Sequence, residues 1–187
     1  LELRTAGAES NVAVTASRLG AASVWLSKLL ESPLGRRVTN EVKQHGVESR
    51  VAWANQTRKG TYYIEHGSTP RPTTVIYDRD NAAITTATPG ELDRGAIDEA
   101  DVFYTSGITP ALSPTLAKTA ADLLAGAKRA GTTTAFDLNY RSKLWEPKEA
   151  KRQYESLFSD VDILVAAERD VGVVLDRDKG AEKTPKT

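Results

Sequence analysis

Two periodicities alternate along the chain. From Glu9 the run "ESNVAVTASRLG" places Val12, Ala16 and Leu19 at helical spacing, and Gly20 makes a natural stop, which predicts a helix. "SVWLSKLL" then predicts a strand, and "SPLGRRVTNEVKQHG" a helix opened by Ser32 and Pro33 and closed by Gly46. In the middle the texture changes. "GTYYIEHG" and "TTVIYDRD" are short runs rich in Thr, Tyr, Ile and Val, residues that suit a pleated surface, and "STPRP" separates them as in a hairpin-like insertion. After Pro89 the earlier rhythm returns. "DVFYTSGI" predicts a strand, and "SPTLAKTAADLLAGAKRAG" a helix capped by Ser113, with Pro114 in its first turn and Gly131 at its end. Its apolar stripe is Leu116, Ala120, Leu123, Leu124 and Ala127. "TTTAFDLN" predicts a strand, "PKEAKRQYESLF" a helix, "VDILVAA" a strand and "ERDVGVVLD" a last helical turn or two, before a polar, loose tail "RDKGAEKTPKT".

Strands that alternate with helices imply an α/β fold, with a parallel sheet covered on both faces and right-handed crossovers. Ligands in such folds bind beyond the carboxyl ends of the strands. "SGITP" (106–110) and "DLNYR" (137–141) both stand at such ends. Two readings of "DLNYR" follow. Asp137 or Asn139 turns the chain into a solvated loop and Arg141 pairs with a neighbour, or the cluster touches a ligand.

Composition narrows the chemistry. With 187 residues, 40% of them hydrophobic and 27% charged, the chain can bury a real core as one soluble globular domain, or one with an appendage. Lys plus Arg equals Asp plus Glu at 25 each, so net charge steers it toward neither nucleic acid nor an anionic membrane. There is no Cys, which removes disulfides and thiolate catalysis, and two histidines argue against a zinc site. No apolar run approaches the roughly 20 residues of a membrane span and no basic-then-apolar leader is present, so a cytoplasmic location is expected.

Four segments taken in order carry a resemblance: "AGAESNVA" (6–13), the Tyr-rich insertion with Tyr62, Tyr77 and Arg79, "SGITPALSP" (106–114) and "DLNYRSKLW" (137–145). From Gly7 to about Leu175 the chain resembles the ribokinase-like (PfkB) carbohydrate kinases, and within them the branch acting on 2-keto-3-deoxygluconate. The resemblance implies a ribokinase-like α/β core formed by residues 1–59 and 80–187, with residues 60–79 as a small β lid. It implies ATP and Mg²⁺ as co-reactants, a sugar acid as substrate, and a homo-oligomer paired through its lids.

It also implies roles for residues. Gly7, Ala8 and Asn11, the turn ahead of the first helix, hold sugar hydroxyls; glycine permits close approach, and the amide both donates and accepts. Tyr62, Tyr77 and Arg79 of the lid contact the sugar acid, the guanidinium matching its carboxylate. A plain cross-strand pairing of Arg79 with Asp78 or Asp80 is the competing reading. Ile108 packs on the sugar's apolar face. Arg141 reaches the sugar acid or the transferring phosphate, where phosphoryl transfer needs positioning and charge more than covalent chemistry, and Asn139 and Tyr140 line the nucleotide side.

Departures from the family pattern matter equally. The usual Asn-x-x-Glu, which helps organise Mg²⁺ and phosphates, reads "AAERD" here: Ala167 stands in the Asn place and Asp170 in the Glu place. The Gly-Ala-Gly-Asp segment that carries the family's catalytic base and anion hole does not occur in these residues, nor does the first strand or the ATP-binding C-terminal portion. The expectation is therefore a partial chain of a longer kinase, with no catalytic residue of its own. Other substrates in the same class are fructose, ribose or a nucleoside; a non-catalytic sugar-acid-binding module is the alternative of another class. No G-x-G-x-x-G follows a strand, and Gly7 lacks the Lys and Ser/Thr of a P-loop.

Overall fold

A computed structural model describes residues 2–175; the tail "RDKGAEKTPKT" and the end of "ERDVGVVLD" lie outside the described residues. The chain divides into two compact units, one running through Ala96 and the other from Ile97.

The first unit opens with α1 (Ala8–Arg18), β1 (Val24–Leu30) and α2 (Pro33–Lys43). Ser32 caps α2 by accepting the Gly35 amide at 3.1 Å, with Pro33 in the first turn where its missing N–H costs nothing. β2 (Glu48–Ala54) pairs parallel with β1 along its whole length, Val24 opposite Glu48 and Leu30 opposite Ala54. The pattern did not predict this strand, because Glu48, Ser49 and Arg50 interrupt the apolar positions; the pairing with β1 decides it. Leu29, Val38, Val42, Val47, Ala82, Ala83 and Ala87 are buried in this unit. Inside β1, Lys28 is also buried, its ammonium 2.6 Å from Glu91 Oε1 and 3.4 Å from the Thr86 carbonyl. Glu91 in turn accepts the Thr88 amide and hydroxyl, and it is held below the usual carboxylate range chiefly by Lys28. This network ties two 3₁₀ turns, Ala83–Thr86 and Pro89–Glu91, to the strand.

The stripe expected on α1 does not become a core face. Leu19 keeps 84% of its surface accessible and Val12 is also exposed; Ser10 is the buried residue of that helix. α1 packs against β1 with Ala13, Val14 and Ala16 only partly buried.

Next along the chain comes an antiparallel pair, β3 (Thr61–Glu65) and β4 (Thr74–Asp78), forming a sheet of its own with Thr61 opposite Asp78 and Glu65 opposite Thr74. The hairpin reading of the sequence matches this pair.

A short helix, α3 (Arg94–Asp98), precedes the strands of the second unit. That unit carries a three-stranded parallel sheet in the order β5 (Val102–Ser106), β6 (Thr133–Asp137), β7 (Ile163–Val165). Its helices are α4 (Ile108–Ala111), α5 (Pro114–Ala130), α6 (Pro147–Glu155) and α7 (Glu168–Val174). The predicted strand through Ile108 stops at Ser106 instead, and Ile108 opens α4. α5 follows its pattern closely: Ser113 Oγ accepts the Leu116 amide, all five predicted stripe residues are buried, and Gly131 closes the helix at φ +87°. Leu124, Phe136, Leu138, Tyr140, Ala150, Tyr154, Leu157 and Val174 form one core, with Tyr154 edge-on to Phe136 and to Trp145 at 5.5 and 5.3 Å.

Candidate functional site

Each unit brings together part of the predicted set. In the first, Gly7 caps α1 with an extended backbone, φ 179°, that any residue can adopt. What calls for glycine is space: a Cβ there would lie 2.8 Å from Ser10 Oγ, which donates to the Gly7 carbonyl at 3.1 Å. Ser10, buried and absent from the sequence-based set, thus fixes the turn. Ala8 begins the helix, and Asn11 donates its backbone N–H to the Gly7 carbonyl at 2.9 Å while its side chain stands exposed one turn in.

The hairpin gathers the second group. Tyr62 and Tyr77 are directly opposed, their rings 6.0 Å apart and tilted by 45°. Strand alternation puts Tyr62, Ile64, Val75, Tyr77 and Arg79 on one face. The Arg79 guanidinium sits 4.3 Å from the Tyr77 ring centroid, a cation–π distance, while Asp78 on the other face is engaged by Arg58. Tyr62 and Tyr77 are 41% and 44% exposed, so this face offers two phenols and a cation to a ligand.

The second unit builds the strand-end turn. β6 ends at Asp137, and Leu138 still donates to the Val165 carbonyl at 2.9 Å. Asn139 adopts φ +37°, a left-handed conformation that asparagine tolerates better than most side chains, and its amide is accepted by Asp137 Oδ1 at 3.1 Å. The next amide, of Tyr140, donates to Asp170 Oδ2 at 3.1 Å across 30 residues of sequence. The Tyr140 ring is buried in the core and its hydroxyl donates to the Trp145 carbonyl at 3.1 Å. The Tyr154 hydroxyl donates to the Leu138 carbonyl at 2.8 Å. Arg141, next along, is exposed.

Burial pushes the Asp137 carboxyl above its usual range, with the charge of Asp170 adding to it; the Asn139 amide, the Tyr104 phenol and Arg141 pull the other way. Beside the turn, Gly107 has no spare volume: a Cβ would stand 2.2 Å from the Leu138 carbonyl and 2.3 Å from the Tyr154 hydroxyl. Ile108, partly buried, follows it. Gly107, Tyr154 and the role of Asp170 were not predicted; the "SG" ahead of a helix start was the one available sign.

Ala167 caps α7, exposed, its carbonyl accepting the Asp170 amide at 2.9 Å. Asp170 is 4% exposed, and both of its oxygens have protein donors, the second being Arg169 Nε at 3.2 Å. Among the described residues no group of three or more His, Cys, Asp or Glu side chains could hold a metal ion by itself, and Asp170, buried with both oxygens engaged, fits a direct Mg²⁺ ligand poorly. No helix among them is long and apolar enough to cross a membrane.

Known proteins resemble this chain. Residues 1–185 match the model of the pfkB family carbohydrate kinases. A 2-dehydro-3-deoxygalactonokinase of Haloferax volcanii is 64% identical over 181 residues, 97% of this chain and 57% of that protein. A 2-dehydro-3-deoxygluconokinase of Bacillus subtilis is 34% identical over 75% of this chain and 44% of its own. The crystal structure of a 2-dehydro-3-deoxygluconokinase from Thermotoga maritima superposes with a TM-score of 0.86 at 36% identity, over 91% of this chain and 52% of that one. The chain thus spans about half the length of the relatives it matches.

Proposed function

Because the chain belongs to the pfkB family of carbohydrate kinases, with the family's ribokinase-like α/β fold, we propose that the whole protein transfers the γ-phosphoryl group of ATP to a hydroxyl of a 2-keto-3-deoxy sugar acid. The observation that carries the substrate class is the hairpin face on which the exposed Tyr62 and Tyr77 stand with the half-buried Arg79. A sugar acid differs from a neutral sugar by its carboxylate, which a guanidinium meets with two parallel hydrogen bonds, and the tyrosine pair offers hydroxyls and flat surface to the carbon chain.

The other elements take complementary parts. The Gly7–Ala8–Asn11 turn binds sugar hydroxyls, and Ile108 meets an apolar sugar face. Arg141 neutralises charge on the phosphoryl group in transfer, where electrostatic stabilisation outweighs covalent chemistry. Asn139 borders the nucleotide, as does Ala167, and Tyr140 contributes through its backbone, its ring being committed to the core. Mg²⁺ would travel with ATP and neutralise its phosphates. Tyr63 and Ile76, exposed on the opposite hairpin face, offer apolar surface for a second copy of the chain. The general base and anion hole belong to parts of the whole protein beyond these residues.

The relative at 64% identity favours 2-keto-3-deoxygalactonate over its gluconate epimer as first substrate. The test is steady-state phosphorylation by the whole protein of both epimers and of fructose and ribose, with the 187-residue chain assayed beside it. We expect turnover of the sugar acids by the whole protein, and none by the shorter chain, since loss of a general base and of an anion hole each cost about 10²–10³-fold or more. Equal kcat/KM for neutral sugars and sugar acids would overturn the reading.

A further inference from the structure

We infer that Asp170 is a positioning residue. Through the Tyr140 amide its carboxylate fixes the left-handed turn at Asn139, and so the direction in which Arg141 leaves the sheet. The inference rests on the part proposed above for Arg141.

The turn has a feature that a solvated loop lacks. Two successive backbone amides, those of Asn139 and Tyr140, donate to two carboxylates, Asp137 Oδ1 and Asp170 Oδ2, each at 3.1 Å. The first bond is local and would form in any Asx turn; the second is not. It joins the end of β6 to the first turn of α7, and both partners are buried. A buried amide has to find an acceptor, and here the Asp170 carboxyl oxygen supplies it. The left-handed Asn139 lies between the two bonded carboxylates, so its conformation is held from both ends. Leu138, just before it, is held from outside by the Tyr154 hydroxyl and by the Val165 carbonyl.

The same geometry separates this role from metal binding. Arg169 occupies the other oxygen of Asp170 and the carboxylate is closed to solvent, so neither oxygen is open to a metal ion. The acid that stands in the Glu place of the family pattern is therefore spent on the backbone of the turn. What the turn needs from residue 170 is an acceptor oxygen at that point; it does not need a free charge.

The experiment compares Asp170→Ala and Asp170→Asn in the whole protein, reading amide hydrogen exchange over residues 138–142 together with kcat and KM for the sugar acid. In Asp170→Ala we expect exchange at Tyr140 to quicken by about tenfold to a hundredfold, and kcat to fall by a similar factor while KM moves less than about threefold. Asp170→Asn keeps an oxygen at the same place and should recover most of both losses. Unchanged exchange in the alanine variant overturns the inference. So does an asparagine variant whose Tyr140 amide stays protected while kcat remains as low as in alanine, because the charge rather than the acceptor would then matter. If the alanine variant does not fold, the asparagine variant alone decides by the same criterion. A whole protein that phosphorylates no sugar acid sinks the functional reading; exchange at Tyr140 still decides whether Asp170 holds the turn.

Discussion

The hairpin and the strand-end turn both present an arginine, and they hold it in opposite ways. Arg79 rests on the ring of Tyr77 in a two-stranded sheet whose tyrosines stay more than two-fifths exposed. Arg141 follows a turn whose two preceding amides are bound by carboxylates and whose neighbouring side chains, Leu138 and Tyr140, are core residues. An isolated two-stranded hairpin is marginal in water, so the first arginine is adaptable and the second is aimed. That division suits the function proposed above, in which the hairpin would adjust to the sugar and Arg141 would already be in place for the transferring phosphate.

The largest expected effect tests the adaptable side. In the whole protein, Arg79→Ala should weaken binding of the sugar acid by roughly 2–5 kcal/mol, as when one partner of a desolvated charge pair is lost, and leave a sugar without the carboxylate almost unaffected. Equal losses for both ligands would show that Arg79 reads no carboxylate. On the aimed side, Arg141→Lys keeps the charge and loses the planar fork, so kcat and kcat/KM should fall together with KM little changed. Unchanged kinetics with a lowered melting point would make Arg141 a partner of Asp137 and nothing more.

Next in size is the packing that makes the turn rigid. Gly107→Ala drives a methyl into the Leu138 carbonyl and the Tyr154 hydroxyl and should cost stability at the upper end of about 1–3 kcal/mol, read from the denaturant midpoint. Gly60→Ala, beside the hairpin, meets Ala82 and Arg79 at 3.3 Å and should cost clearly less. Similar costs at the two sites would dissolve the contrast between the regions. Tyr154→Phe leaves the buried Leu138 carbonyl without its donor and should cost about 1–2 kcal/mol.

The smallest effect is a slope with pH. Asp137 has a folded pKa above its unfolded value, so the folded state binds its proton more tightly; stability from this group is full below the ordinary carboxylate pKa of about 3.9 and is lost as pH rises through the folded value. Asp162, bonded by Lys128 and by the Thr134 amide and hydroxyl, is held down at about 2 and does the reverse: its contribution is present above the ordinary value and lost as pH falls toward about 2. Asp137→Asn should therefore remove a loss of stability on going from acid to neutral pH and leave the acid-side loss due to Asp162. Denaturant midpoints of both proteins at about pH 3 and about pH 7 would show it, and parallel pH profiles for variant and parent would refute it.

The sequence by itself determined the elements whose signals are local. Ser113, Pro114 and Gly131 mark the ends of α5 through caps that reach only a few residues along the chain, and its stripe is buried as the 3.6-residue period demands. The antiparallel pair β3 and β4 follows from two β-rich runs and the turn between them, though its register, Tyr62 opposite Tyr77, does not. Asn139 announced a turn because its neighbour Asp137 accepts its amide. Tertiary structure alone decided what depends on distant partners. β2 is a strand because β1 lies beside it, in spite of its charges. Leu19 is exposed, although its helical spacing marked it for a core, because no described element covers it. Gly107 is glycine because the Leu138 carbonyl and the Tyr154 hydroxyl occupy the volume a side chain would need. Asp170, marked in the sequence only by its place in the family pattern, is bonded to an amide 30 residues earlier in the chain. Periodicity and caps are properties of neighbours in sequence, whereas volume and the satisfaction of buried donors are properties of neighbours in space, and only folding brings those together.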